Sequence, residues 1–177
     1  MKLERYLPEH TTDDTIVAMR YYALKDRSDP IIQDLAHQIT SDIHPSDKKS
    51  QMMAIMNWIL VNMIYIHDED EGRRLFGTDG DVELVKSPTA TLESGRYDCD
   101  CIATFIASLM LALGIKPKFI VVGFSPDYMT GPDGYEHVYV TGFDDNSGRW
   151  IIIDPVSNPD EKQMILDTKQ HKVYDIS

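Results

Sequence analysis

The sequence is poor in cysteine, and this shortage excludes one class of protein. Its two cysteines, Cys99 and Cys101, stand in a chain of 177 residues. Two are too few for a small secreted domain held together by disulfides. A bond across the single residue between them would be strained, so we expect two free thiols.

Long apolar runs are also missing. A membrane span needs about 20 consecutive apolar residues, and the longest run here, residues 102–113, contains Thr104 and Ser108. The N-terminal segment MKLERYLPEH lacks the apolar stretch of a signal peptide. We therefore expect a protein that is cytoplasmic at synthesis and has no membrane partner.

Basic residues are scarce relative to acidic ones. Lysine and arginine number 17 against 29 aspartates and glutamates, which gives a formal net charge of −12. Such a surface repels phosphate backbones and anionic lipids, so nucleic acid is not expected as a partner. The simplest role of this charge is solubility.

The length and the 42% apolar content fit one domain with a real core. We predict a single domain over residues 1–177. It would comprise an N-terminal helical part (1–46), a core (47–157) and a C-terminal tail (158–177).

The first third of the chain has helical patterns. Asp14 or Thr15 could cap a first helix, and Pro30 would open a second. Residues 47–66 predict a third, long helix, with His67 as a cap at its end. Its apolar residues recur at helical spacing and are expected to face the core: Met52, Ile55, Met56, Ile59, Leu60 and Met63.

The rest of the chain predicts a loop, a central helix and strands. Residues 67–96 are polar and favour a loop with one short strand at 81–85; the run 77–81 lacks the spacing of a calcium loop. A helix over 99–113 should end at Gly114. Strands are predicted at 118–125, 136–143 and 149–154, and the tail could hold a short helix or a final strand. Helices and strands segregate along the chain, so we predict an α+β fold with the helices packed on an antiparallel sheet.

A catalytic thiol needs a base, and the base needs an orienting group. His137 differs from the other five histidines because it lies within a predicted strand, on one face with Tyr139 and Thr141. A two-residue turn at Asp145-Asn146 would place it opposite Asp154. Asp154 could equally be a turn residue before Pro155, and both roles can hold together.

Cys99 would begin the central helix, where the helix dipole and backbone N–H groups favour the thiolate and can stabilise an oxyanion. Asp98 and Asp100 are expected to point away from the sulfur, as a cap and a first-turn acid. A metal site at Cys99, Cys101 and His137 would have three ligands, one fewer than structural zinc takes, and C-x-C is not the usual spacing. We expect no metal and no cofactor.

In this pattern the chain resembles the transglutaminase-like superfamily, whose fold is related to papain. The resemblance covers about residues 50–157, and the matching positions are Cys99, Ala103, Gly114, Ile115, His137, Val138, Tyr139, Trp150, Asp154 and Pro155. It implies Cys99 as nucleophile, His137 as general base and acid, and Asp154 as the orienting group. Trp150 would support the site.

The chain also looks like the small transglutaminase-like proteins of bacteria and tailed bacteriophages. Those proteins carry a Gly-Asp-Cys-Asp-Asp motif at the nucleophile. In this chain, Tyr97 stands in place of the glycine and Cys101 in place of the last aspartate. Tyr97 would crowd the approach to the thiol. Cys101 could resolve an oxidised Cys99, although the two thiols should face opposite sides of the helix.

These observations predict a thiol acyl-transfer enzyme, a cysteine protease or amidase that acts on peptide or isopeptide bonds in a protein or peptide substrate. Aminolysis of the thioester would instead make it a crosslinking enzyme. The alternative is a structural or binding module without catalysis, for example a bacteriophage virion component that contacts other virion proteins.

Overall fold

The computed structural model describes residues 11–67, 70, 85–123, 135–157 and 171–176. Three helices come first: α1 (Thr12–Asp26), α2 (Pro30–Ile39) and α3 (Lys48–Asn62). A short strand, β1 (Ile64–Tyr65), precedes helix α4 (Pro88–Ser94) and strand β2 (Arg96–Tyr97). Helix α5 (Cys99–Ala112) is followed by β3 (Pro117–Val122), β4 (His137–Asp144), β5 (Arg149–Ile153) and β6 (His171–Asp175). Among the described residues, no helix is long and apolar enough to cross a membrane.

The predicted α+β class is confirmed, with the helices packed on an antiparallel sheet of order β5-β4-β3-β6. The three predicted strands are present within the described residues, and the tail supplies a final strand, β6. The predicted strand at 81–85 and the run 77–81 lie outside the described residues, except for Val85.

Helix α5 is the centre of the core. It packs against α1, α2, α3 and α4 and against the sheet, and all residues from 100 to 110 are buried. Gly114, at φ 69°, ends the helix in the left-handed conformation that glycine adopts without strain. The position of Cys99 is therefore fixed by a fully packed helix.

Two predicted helix boundaries were wrong. Helix α1 is capped by Thr11, whose side chain accepts the backbone N–H of Asp14 while the Asp14 carboxylate accepts the N–H of Thr11, a capping box. Helix α3 stops at Asn62, so His67 is not its cap. The chain turns into β1 because the N–H groups of Ile64 and Ile66 bond to carbonyls beside and within β2.

The third helix buries most of the predicted apolar stripe. Met52, Ile55, Ile59 and Met63 are buried, but Met56 is half-buried and Leu60 is exposed. Helix α4 was not predicted, since Gly, Ser, Thr and Pro dominate its surroundings. Its start follows the capping rule: Ser87 accepts the N–H of Ala90, and Pro88 takes the first position.

The turn between β4 and β5 is longer than predicted. Val140 pairs with Ile153 and Asp144 with Arg149, so four residues, 145–148, connect the strands. Asp144 accepts the N–H groups of Asn146 and Ser147, and Gly148 has φ 66°. These bonds stabilise the longer turn over the two-residue one.

At Gly142 the sheet packs closely against side chains of α3 and α5. A methyl group there would overlap Sδ of Met52 and lie 3.2 Å from Sδ of Met110. We expect Gly142→Ala to lower the free energy of unfolding by about 1–3 kcal/mol, as overpacking does. Because the new methyl fills space that Met52 occupies, Met52→Ala should cost less in the Gly142→Ala background than alone.

A double-mutant cycle by denaturant unfolding measures this coupling. Strictly additive free energies for the two substitutions would contradict the contact.

Candidate active site

Cys99 occupies the first position of α5 and is partly exposed. Asp98 is the N-cap: its Oδ1 accepts the N–H of Cys101 at 3.0 Å. Asp100 lies in the first turn, buried, and its Oδ1 accepts the same N–H at 2.6 Å. Both acids therefore have the local roles that were expected of them, and the positive end of the helix dipole lies at Cys99.

Cys101 has a different environment. Its side chain is fully buried, and its Sγ accepts the backbone N–H of Lys86 at 3.4 Å. A thiol packed in this way behaves as a small apolar side chain. The two cysteines are thus distinguished by access, in favour of Cys99.

Tyr97 leads directly into the helix. It pairs with Tyr65 in the two-stranded parallel sheet, and their rings meet edge to face at 5.7 Å. The Tyr97 side chain is buried in the core, whereas Cys99 retains exposure. The ring therefore packs inward.

His137 and Asp154 form a buried hydrogen-bonded pair. Nε2 of His137 lies 2.9 Å from Oδ2 of Asp154, and the side chains are 8% and 1% exposed. The corrected register makes Asp154 a diagonal neighbour of His137 rather than its direct partner, but both still lie on one face of the sheet. The ring nitrogen that contacts the carboxylate is thus Nε2.

Ser157 completes this pair, and the sequence analysis missed it. Its hydroxyl lies 2.6 Å from Oδ2 of Asp154 and 3.3 Å from Nε2 of His137. Oδ1 of Asp154 accepts the N–H groups of Val156 and Ser157 at 3.0 and 3.3 Å. The usable signal was the serine three residues after an aspartate, a turn pattern that brings hydroxyl and carboxylate together.

These contacts keep Asp154 ionised. Burial alone raises its pKa, but the hydrogen bond and charge of His137, with the bonds from Ser157 and Val156, lower the pKa below its ordinary value. The negative charge also acts on its surroundings: burial and then the charge of Asp154 raise the pKa of both Tyr97 and Tyr139. The carboxylate therefore lies within electrostatic range of Tyr97, two residues before Cys99.

The helix with Cys99 and the strand with His137 pack together, and each residue is the first of its element. Val138 and Val140 belong to the core cluster that includes α5, whereas His137 and Tyr139 alternate with them onto the other face. The only route by which the His137 ring could reach the start of α5 is therefore around the end of the sheet where β4 begins.

Trp150 lies at the other end of β5 from Asp154. Its ring contacts Phe143 at 5.2 Å, and Nζ of Lys118 lies 4.4 Å from its centroid. Trp150 therefore lies away from the His137–Asp154 pair, although it belongs to the same sheet as His137.

One group of potential metal ligands is present among the described residues: Asp98, Asp100 and Cys101 have ligand atoms within 4.8 Å of one another. The carboxylates bond the N–H of Cys101, and the sulfur accepts from Lys86. The group excludes His137 and Cys99, so it differs from the metal site considered from the sequence. Its hydrogen bonds explain the cluster as the cap of α5.

The sequence model of the transglutaminase-like superfamily matches residues 33–155 of the chain. This span includes Cys99, His137 and Asp154 and is well over half of the protein. The chain therefore belongs to the transglutaminase-like superfamily. A comparison with curated proteins finds no match.

Two solved structures show the same fold. A candidate protease from Parabacteroides distasonis is 17% identical with a TM-score of 0.56, and the match covers 92% of this chain and 30% of that one. A candidate cysteine protease from Cytophaga hutchinsonii is 20% identical with a TM-score of 0.52, covering 98% of this chain and 55% of that one. The chain thus spans about half or less of the length of these proteins. Neither similarity addresses the bacteriophage subclass, which stays a prediction.

The lowered pKa of Asp154 has a consequence for stability. The unfolded-state pKa is about 3.9, and the folded state holds it lower. Ionised Asp154 therefore stabilises the fold above the unfolded-state pKa, and this contribution disappears as pH falls through the folded-state pKa. We expect Asp154→Asn to reduce the dependence of the unfolding free energy on pH below about pH 4.

Urea unfolding at several pH values between about 5 and 2 tests this dependence. Asp42→Asn, at an exposed aspartate, is the control and should retain the wild-type slope. Equal slopes for Asp154→Asn and the wild type would contradict the assignment.

Proposed function

We propose that the protein is a thiol acyl-transfer enzyme that hydrolyses peptide or isopeptide bonds, with Cys99 as nucleophile, His137 as general base and acid, and Asp154 as the orienting group. The observation that carries this proposal is the buried bond between Nε2 of His137 and Asp154. A buried imidazole held by an ionised carboxylate, in a chain with a partly exposed cysteine at a helix N-terminus, fits general-base activation of a thiol.

The reaction would proceed in two half-reactions. Nδ1 of His137 takes the proton of the Cys99 thiol, and the sulfur attacks the substrate carbonyl carbon. The backbone N–H of Cys99 at the helix start would donate to the developing oxyanion. His137 then gives its proton to the leaving amine, and a thioester forms. Water attacks the thioester, and the acid and the free thiol are released.

Hydrolysis rather than crosslinking is the reaction we favour. The two structural neighbours are described as candidate proteases, one of them a cysteine protease. Their identities to this chain are 17% and 20%, and competition between water and an added amine for the thioester distinguishes hydrolysis from crosslinking.

Alkylation of the thiols tests the nucleophile. With iodoacetamide at pH 7, we expect Cys99 to react at least about tenfold faster than buried Cys101, with a pH midpoint below the free-thiol value of about 8.5. His137→Ala should slow the reaction of Cys99 and move the midpoint toward the free-thiol value. Peptide mapping by mass spectrometry assigns the labels.

Cys101→Ala is the matched control and should leave the alkylation rate of Cys99 unchanged. Faster labelling of Cys101, or a His137→Ala profile that coincides with the wild type, would contradict the proposed roles.

Substrate turnover tests the reaction class. We expect the protein to cleave members of a mixed peptide library, and Cys99→Ala to abolish cleavage, since no thioester can then form. Adding a fluorescent primary amine distinguishes the two outcomes of the thioester. Amine incorporation in excess of hydrolysis would show a crosslinking enzyme, and wild-type activity equal to that of Cys99→Ala would favour a non-catalytic module.

A further inference from the structure

The hydroxyl of Ser157 lies where the imidazole and the carboxylate meet. Its Oγ is 2.6 Å from Oδ2 of Asp154 and 3.3 Å from Nε2 of His137, and the residue is 8% exposed. The hydroxyl thus contacts both members of the pair. On Asp154 it bonds to Oδ2, the same oxygen that Nε2 of His137 contacts.

The donor hydrogens of the three groups determine which atom donates and which accepts in this contact. A serine hydroxyl has one proton and two acceptor lone pairs, and an ionised carboxylate only accepts. The short distance to Oδ2 assigns the hydroxyl proton to Asp154. Toward His137, Oγ can then act only as an acceptor. Nε2 must therefore carry a proton, which it shares between Oδ2 and Oγ.

We propose that Ser157 is a positioning residue that holds His137 in the tautomer protonated at Nε2, so that Nδ1 is the basic nitrogen. This inference rests on the proposed function, since the tautomer matters to catalysis only if Nδ1 accepts the thiol proton. The hydroxyl also donates to Asp154, which keeps the carboxylate oriented toward the ring.

The chain contains a matched control for the structural part of this role. Asp144 and Ser147 repeat the same turn: Oγ of Ser147 lies 2.5 Å from Oδ2 of Asp144, and the N–H groups of Asn146 and Ser147 bond to the carboxylate. Asp144 is also buried. Among its described hydrogen-bond partners there is no histidine, so loss of the Ser147 hydroxyl removes the same turn contact without changing the surroundings of an imidazole.

The experiment compares Ser157→Ala, Ser157→Thr and Ser147→Ala. At pH 7 we expect Ser157→Ala to slow iodoacetamide alkylation of Cys99 about tenfold, the scale of a hydrogen bond to an ionised group, and to raise its pH midpoint. Ser157→Thr keeps the hydroxyl and should restore most of the rate. Ser147→Ala should match the wild type in both rate and midpoint, whatever its effect on the unfolding midpoint.

Nitrogen-15 NMR of the wild-type histidines gives a readout that needs no variant. The neutral ring of His137 should be protonated at Nε2, and Ser157→Ala should increase the fraction protonated at Nδ1. A wild-type ring protonated at Nδ1 would overturn the inference even if Ser157→Ala does not fold.

The outcomes also separate this inference from the proposed function. If His137→Ala slows alkylation but Ser157→Ala and Ser147→Ala both match the wild type, the role of Ser157 is wrong and the catalytic proposal stands. If His137→Ala has no effect on alkylation, the catalytic proposal itself is wrong, and the positioning role falls with it.

Discussion

The buried hydrogen bond between His137 and Asp154 is the interaction that holds the candidate active site together. The two ionisable side chains are almost fully buried, and each stabilises the other, because an isolated charge or an unsatisfied polar group in the interior costs free energy. The structure satisfies Asp154 with four donors, two on each oxygen. The turn that follows β5 supplies three of them, so the fold builds the carboxylate site locally and adds the imidazole from β4.

Helix α5 has the complementary task of fixing the thiol. Its burial on nearly all sides removes freedom from the helix as a whole, while the Asp98 cap fixes where the helix begins. Cys99 is consequently held at a defined point with partial exposure, and Cys101 is committed to the core. The acids on either side of Cys99 both accept the backbone N–H of Cys101, so each has a structural role at the start of the helix.

The sequence predicted the elements with strong local signals and missed those that tertiary contacts decide. Pro30, Gly114 and the strand alternation around His137 define their elements by local physics, and the structure agrees. The predicted end of α3 was wrong because Ile64 pairs with β2, and this pairing overrides the apolar periodicity of the sequence. The pairing of His137 with Asp154 was found although the predicted turn was two residues too short. A register shift of two residues keeps a side chain on the same face of the sheet. Ser157 was missed because its signal, a serine three residues after an aspartate, is a local turn pattern without periodicity.

The proposed mechanism requires that the imidazole held by Asp154 faces the thiol of Cys99 at the start of β4. A crystal structure of the reduced protein measures this directly, as the distance from Sγ of Cys99 to Nδ1 of His137. We expect a separation of about 3–4 Å, the range in which a thiol and a base exchange a proton. An imidazole ring well beyond contact with the sulfur, with Nδ1 bonded to another group, would contradict it.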